Sequence, residues 1–273
     1  MKSGALFLVP VPLGDMDPAL VLSADTLEIV RRLDGYIAEE PKTARAFLKR
    51  LCIDRPLADV RIESLNEHTS AHDLPRLLAP ITTGERVGML SEAGYPAVAD
   101  PGHDLVLQAH LAGIRVVPLV GPSSLILALA ASGLNGQRFV CHGYLPVAAG
   151  PRTAAIRSLE SQSGGDGSAQ IFIETPYRNN QLLAALLEIC HAQTRLCLAT
   201  ELTLPTETIL TDLISGWKRR PPDLNRRPTV FVLQAAPTAT LSAGTTRRSG
   251  AAAPQRSRSR NAAPAARRYS RAG

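Results

Sequence analysis

Acidic side chains recur where the apolar runs of this chain stop. Glu39 and Glu40 follow residues 34–38, Glu67 follows residues 61–65, Glu92 and Asp100 follow residues 86–90, and Glu174 and Glu201 close two later runs. If the runs are strands pointing one way within each half of the chain, these acids gather along one rim. A rim of carboxylates suits a cationic ligand, or takes a proton from a substrate bound there. Taken singly, each acid is equally at home in a solvated loop. His68 and His72 stand four apart beside Glu67 and Asp73, but the spacing offers no third clear ligand and no metal is expected.

The stretch 91–102, S-E-A-G-Y-P-A-V-A-D-P-G, concentrates this chemistry. It follows the apolar run 87–90, and beyond its two acids only Tyr95 is large. Glycine, alanine and proline in that density let a backbone approach a ligand closely while holding a fixed shape. A loop of this kind at the carboxyl end of a strand is where ligands bind in open α/β sheets. Pro12–Gly14 and Gly121–Ser124 have similar make-up, although turn chemistry alone also explains such residues. Asp100, set before Pro101 and Gly102, is placed to cap the helix that follows. The phosphate-loop pattern, a G-x-G-x-x-G after Val9 and a G-x-S-x-G elbow are all absent. Kinase, dinucleotide and serine-acyl readings thereby lose their main support.

The elements that must position these residues alternate. Apolar strands are expected at 5–9, 34–38, 61–65, 86–90 and 115–120, with helices at 18–32, 43–51, 70–79 and 103–112. That alternation predicts an α/β fold with a parallel, doubly wound sheet. Ser23 is expected to cap the first helix, and Gly133 to stop an apolar helix at 125–132. Further strands are expected at 139–144, 169–173, 196–200 and 229–234, with helices at 152–161 and 179–191. Residues 164–168 read as a flexible loop, and residues 215–227 as a helix end plus loop. The chain divides into an α/β domain at 1–120, a second at 121–236 and a tail at 237–273.

The tail distorts the bulk charge. The 273 residues hold 30 basic and 24 acidic side chains, a formal +6, but eight of the arginines lie in the tail, which has no lysine and no acid. The body therefore carries 22 basic against 24 acidic residues and is close to neutral. Alanine, arginine, serine, proline and glycine cannot build a core, so the tail is expected to be disordered. Cys52, Cys141, Cys190 and Cys197 lack metal or redox spacing and are expected to be buried, reduced thiols. With no signal peptide and no apolar run long enough to span a membrane, a cytoplasmic protein is expected.

In order along residues 6–234, V-P-x-P-L-G-D, S-E-A-G-Y-P-A-V-A-D-P-G, V-P-L-V-G-P-S-S, F-x-x-x-G-Y-L-P, I-E-T-P-Y-R and A-T-E-L-T resemble the tetrapyrrole-methylase superfamily. Within it they are most similar to the branch that methylates small-subunit ribosomal RNA. The resemblance implies two α/β domains, the second with a mixed sheet, and S-adenosylmethionine (SAM) in the cleft between them. It also implies a homodimer and 2′-O-methylation of a ribose in RNA. Other members methylate tetrapyrrole carbons. Carried over by motif, Pro12, Gly14, Ser91, Glu92, Ala93, Gly94, Asp100, Pro122, Ser123 and Ser124 would surround the methyl donor. Glu174, Arg178, Glu201 and Glu207 would lie on the substrate side, with Glu40 and Glu67 as first candidates to take the ribose proton.

The chain departs from the branch at several of these places. It has Val-Pro-Leu-Gly-Asp for Thr-Pro-Ile-Gly-Asn, Glu39-Glu40-Pro41-Lys42 for Glu-Asp-Thr-Arg, Glu92 and Tyr95 for aspartate and threonine, and Leu204 for a lysine. Backbone contacts to a donor survive such changes, whereas the choice of acceptor depends on side chains. A small-molecule methylase and a SAM- or RNA-binding protein without catalysis are the alternative readings. The Arg-rich tail fits an RNA partner through counterion release.

Overall fold

The structure, a computed structural model, describes residues 4–53, 55–66 and 68–237. The expectations for Glu67 and for the tail beyond residue 237 fall outside the described residues. Five strands, β1 (Ala5–Val9), β2 (Gly35–Ala38), β3 (Arg61–Ser64), β4 (Arg86–Leu90) and β5 (Arg115–Pro118), form one sheet in the order β3-β2-β4-β1-β5, parallel throughout. Their apolar runs are continuous because helices cover both faces. On one face, α1 (Ala24–Arg31) and α2 (Pro41–Arg50) pack Leu27, Val30, Phe47 and Leu48 against Val9 and Tyr36. On the other, α3 (Leu74–Thr82) and α4 (His103–Leu111) pack Leu77, Leu78 and Leu105 against Leu6, Val87 and Met89.

Chain direction in this sheet has a functional consequence. From β1 the chain crosses leftward to β2, and from β4 it crosses rightward to β5. Strands β1 and β4 are neighbours, so the loops leaving them part to opposite sides. That parting is a topological switch point, where open α/β sheets bind their ligands.

The second sheet is mixed. Strands β6 (Phe139–Tyr144) and β7 (Ala169–Ile173) run parallel, and β8 (Arg195–Thr200), β9 (Thr208–Leu213) and β10 (Thr229–Gln234) complete the order β6-β7-β10-β8-β9 by antiparallel pairing. Helix α5 (Ser124–Ser132) packs Leu125, Ala128 and Leu129 on one face of it. Helices α6 (Ala149–Asp166), α7 (Asn179–Ile189) and α8 (Ile214–Arg219) cover the other, where Phe172 and Phe231 stack 5.7 Å apart.

Several sequence expectations change. The first helix begins at Ala24, not 18: residues 18–20 form a separate single turn, and the Ser23 side chain accepts from the Thr26 N–H as expected. Strand β9 has no counterpart in the sequence reading, since its edge position leaves most of its side chains exposed and hides the alternation. The glycines at 164 and 165 are helical, because α6 runs on to Asp166. Its end is held by Ser163, which donates to the Ser168 carbonyl, and by Asp166, which accepts from the Ser168 N–H. Cys190 and Cys197 are buried as expected, but Cys52 and Cys141 are exposed. Among the described residues no helix is long and apolar enough to cross a membrane.

Gly121 lets the passage between the sheets run against β1. A Cβ there would lie 2.2 Å from the Pro10 ring. Gly121→Ala is expected to cost about 1–3 kcal/mol of stability, the usual penalty of overpacking, read as a lower urea midpoint.

Candidate functional site

The loop after β4 is fixed to the turn after β1 at the switch point. Val11 and Gly94 exchange both backbone hydrogen bonds, at 2.8 and 3.1 Å. Gly94 has φ +79° and could not carry a side chain without strain. Ser91 Oγ donates to the Gly94 carbonyl, and Tyr95 Oη donates to the Leu119 carbonyl 3.0 Å away. Ala97 and Ala99 also hold positive φ, +62° and +60°. Non-glycine residues keep that conformation only when their surroundings impose it. The result is a rigid, small-residue wall.

Facing this wall across the domain boundary is a cleft of about 450 Å³. The first domain contributes Leu13, Glu39, Glu92, Ala93 and Asp100. Ser123 and Ser124 enter from the start of α5. The second domain contributes Tyr144, Glu174, Ala199, Glu201, Leu202 and Thr229. Apolar side chains and carboxylates thus share the lining, the make-up of a site for a ligand with both an apolar part and a positive charge.

The acids fall into two electrostatic groups. Asp100 is pushed up to about 6 by burial first, and then by the charges of Glu39 and Glu92. It does not cap α4 as the sequence suggested: Gly102, at φ +126°, is the N-cap residue, and no side chain bonds there. Tyr144 stands close to the same charges, its phenol raised by burial and by Asp100, Glu174 and Glu39. Glu174 and Glu201 are neutralised by arginines. Burial pushes the Glu174 carboxyl up, but Arg178 at 2.7 Å and the Thr175 N–H outweigh it and leave it lowered. The Arg227 guanidinium donates twice to Glu201, at 3.0 and 2.8 Å, and holds it below the usual range. Glu174 and Glu201 therefore brace the second-domain wall, while Asp100 with Glu39 and Glu92 forms a concentrated negative end. Glu174→Gln is expected to lower Tm by a few degrees, because the charge-assisted hydrogen bond from Arg178 to a buried carboxylate is lost.

Of the residues expected from the sequence, Glu92, Ala93, Asp100, Ser123, Ser124, Glu174 and Glu201 line the cleft. Pro12, Gly14 and Ser91 line a second groove on the far side of the 91–93 segment. Gly94 and the buried Pro122 lie behind the wall, where a Cβ on Gly94 would be 3.8 Å from the Pro122 carbonyl. Arg178 reaches the site through Glu174. Glu207 is exposed and accepts from the Thr203 N–H. Glu40 is exposed and caps α2, accepting from the Lys42 N–H at 2.9 Å; its neighbour Glu39 lines the cleft instead. Tyr144, Leu13, Leu202 and Thr229 were missed. Leu13 and Leu202 each stand beside a chosen residue inside a motif quoted above, and Tyr144 stands inside another and ends a strand; those were the available signals.

Residues 5–216 match the family described as tetrapyrrole (corrin/porphyrin) methylases. The ribosomal RNA small subunit methyltransferase I of Pseudomonas aeruginosa is 34% identical over 209 residues, 77% of this chain and 70% of that protein. Its counterpart in Escherichia coli O157:H7 is 32% identical over 236 residues, 85% of this chain and 77% of that protein. Among solved structures, the methyltransferase CobJ matches with a TM-score of 0.56 at 17% identity, covering 91% of this chain and 98% of that one, a likeness of fold.

Proposed function

Because the chain belongs to the tetrapyrrole (corrin/porphyrin) methylase family, we propose that it transfers the methyl group of SAM to a ribose 2′-hydroxyl of small-subunit ribosomal RNA. The RNA target rests on the names of the relatives. The observation that carries the chemistry is the negative end of the interdomain cleft, where Asp100 faces the charges of Glu39 and Glu92.

The cleft residues fit SAM. Ala199, Leu202 and Val230 offer an apolar surface for an adenine, Ser123 and Ser124 offer hydroxyls at the start of α5, and the carboxylates favour a sulfonium cation. Bound there, SAM supplies an electrophilic methyl carbon. The protein's part is to hold the acceptor oxygen in line with that carbon, since positioning accounts for much of the catalysis in such a displacement. With SAM held there, the Asp100 carboxylate would take the proton of the ribose hydroxyl as that oxygen is methylated. A carboxyl at about 6 is ionised at neutral pH yet basic enough to accept it. Tyr144, more than half exposed at the mouth, flanks the acceptor.

A homodimer is part of this proposal. Val120 and Ile126, on either side of the passage between the sheets, are 74% and 53% exposed, an apolar surface for a second copy. Light scattering at the mass of two chains is expected.

Calorimetry with SAM, followed by transfer of labelled methyl to small ribosomal subunits lacking the modification, tests the function. Binding followed by labelling that protects one phosphodiester from alkali is the expected result, because a 2′-O-methyl group blocks alkaline cleavage. Binding with no transfer to any RNA would sink the RNA reading and leave a small-molecule methylase or a non-catalytic binder.

A further inference from the structure

Helix α2 carries four cations, Lys42, Arg45, Lys49 and Arg50, and no acid in its ten residues. All four are exposed, on a body whose net formal charge is close to neutral. Arg50 pairs with Asp15, but among the described residues Lys42, Arg45 and Lys49 make no ion pair. These three sit at i, i+3 and i+7 and so form one stripe about 10 Å long. Arg45 is a helix-surface neighbour of both others, and like charges so placed destabilise a helix. Lys42 lies in the first turn, the end at which the helix dipole disfavours a cation. Lys49, in the last turn, is favoured by the same dipole, but helix stability gives no reason for Lys42 and Arg45.

Beside the stripe lies the second groove, about 460 Å³. The next face of α2 forms its side through Thr43, Ala46, Phe47 and Arg50. Its far side is the Pro12–Asp15 turn, and its inner end is the 91–93 segment. Leu13, Glu92 and Ala93 border both this groove and the interdomain cleft. The cationic stripe thus runs along a groove that only the 91–93 segment separates from the methyl-transfer cleft.

We propose that the exposed face of α2 is the track for the substrate RNA strand: Lys42, Arg45 and Lys49 hold its phosphates beside the segment that walls the cleft, so that a nucleotide further along the strand reaches over that segment to the methyl donor. The proposal rests on the RNA reading above. An anionic strand offsets the repulsion within the stripe and is held without regard to sequence, as phosphate contacts are. Of the anionic partners that could lie there, a nucleic acid strand alone is also required at the adjoining cleft.

The test compares the full chain with its triple variant Lys42→Ala, Arg45→Ala, Lys49→Ala on small ribosomal subunits, over a range of salt concentrations. Each phosphate contact contributes roughly 0.7–0.9 to the slope of log affinity against log salt. The variant is therefore expected to show a slope shallower by about 2, and an apparent KM for subunits roughly 10- to 100-fold higher near 0.1 M salt. SAM affinity by calorimetry should stay within twofold and Tm should not fall. A Lys42→Arg, Lys49→Arg variant, which keeps the charges, should retain the wild-type KM and slope. If the wild type methylates subunits and the triple variant matches it in KM and slope, the track is wrong and the function stands. If SAM affinity falls as steeply as subunit affinity, a damaged fold explains the loss and the track is again wrong. If the wild type transfers no methyl to RNA, or the stripe binds anionic vesicles and no RNA, both readings fall.

Discussion

Asp100→Asn is expected to lower kcat for methyl transfer by roughly 10²–10⁴-fold, the usual contribution of a positioned general base, and to weaken SAM binding by much less, because Glu39 and Glu92 keep their charges in the cleft. The pH dependence is a sharper test. Asp100 is raised from 3.8 to about 6 by burial, with Glu39 and Glu92 adding to it. As a proton acceptor it works only when ionised. Wild-type kcat/KM should therefore rise about tenfold per pH unit below 6 and level off above, and the asparagine variant should show no such rise. The same shift makes an opposite statement about stability. The folded state holds the proton more tightly than the unfolded chain, so stability falls as pH rises from about 4 to 6. Asparagine cannot ionise, and the variant should melt higher than wild type at pH 7.5 and converge with it near pH 4. Lost turnover joined to gained stability would be hard to obtain from a damaged fold. Glu40→Gln provides the contrast: with its side chain committed to the α2 cap, it should alter stability slightly and turnover by less than threefold. A wild-type kcat in the Asp100 variant would remove the proton acceptor from the proposal.

Ser123→Trp is expected to raise the Kd for SAM at least about 100-fold, close to 3 kcal/mol. Ser123 lines the cleft at the N-terminus of α5, and its hydroxyl makes no capping bond, so little is lost when it is replaced. An indole at this point occupies the space between the small-residue wall and the second sheet. Tm should change by no more than a few degrees, and calorimetry should show the loss directly. SAM binding within threefold of wild type would mean that the donor lies elsewhere, for instance in the groove beside α2.

Much of the architecture was present in local pattern. The runs that became β1 and β4 are apolar at nearly every position because both faces of a parallel sheet are covered. The 91–102 segment announced a binding loop through its glycines, alanines and prolines. The ordered motifs identified the family and the two-domain fold. Edge strand β9 and the glycines that end α6 were not legible, because an exposed strand lacks alternation and a helix can be carried past glycine by tertiary contacts. Here Glu160 of α6 reaches the His191 N–H and the Thr194 hydroxyl, anchoring the helix from outside its own sequence.

By itself the sequence determined that carboxylates stand at the strand ends on one rim of a family methylase, with a basic tail beyond the body. Only the tertiary structure decided which of those acids share a site. Glu39 and Glu40 are adjacent and chemically alike, yet β2 has ended at Ala38 and the chain turns here into α2: Glu39 lines the cleft, and Glu40 is the N-cap residue of the helix. Glu201 is tied to Arg227, 26 residues away, and Glu174 to Arg178. Among the described residues no arginine pairs with Asp100, which is left beside the charges of Glu39 and Glu92, and that difference in partners is the reason the proposal gives the proton to Asp100.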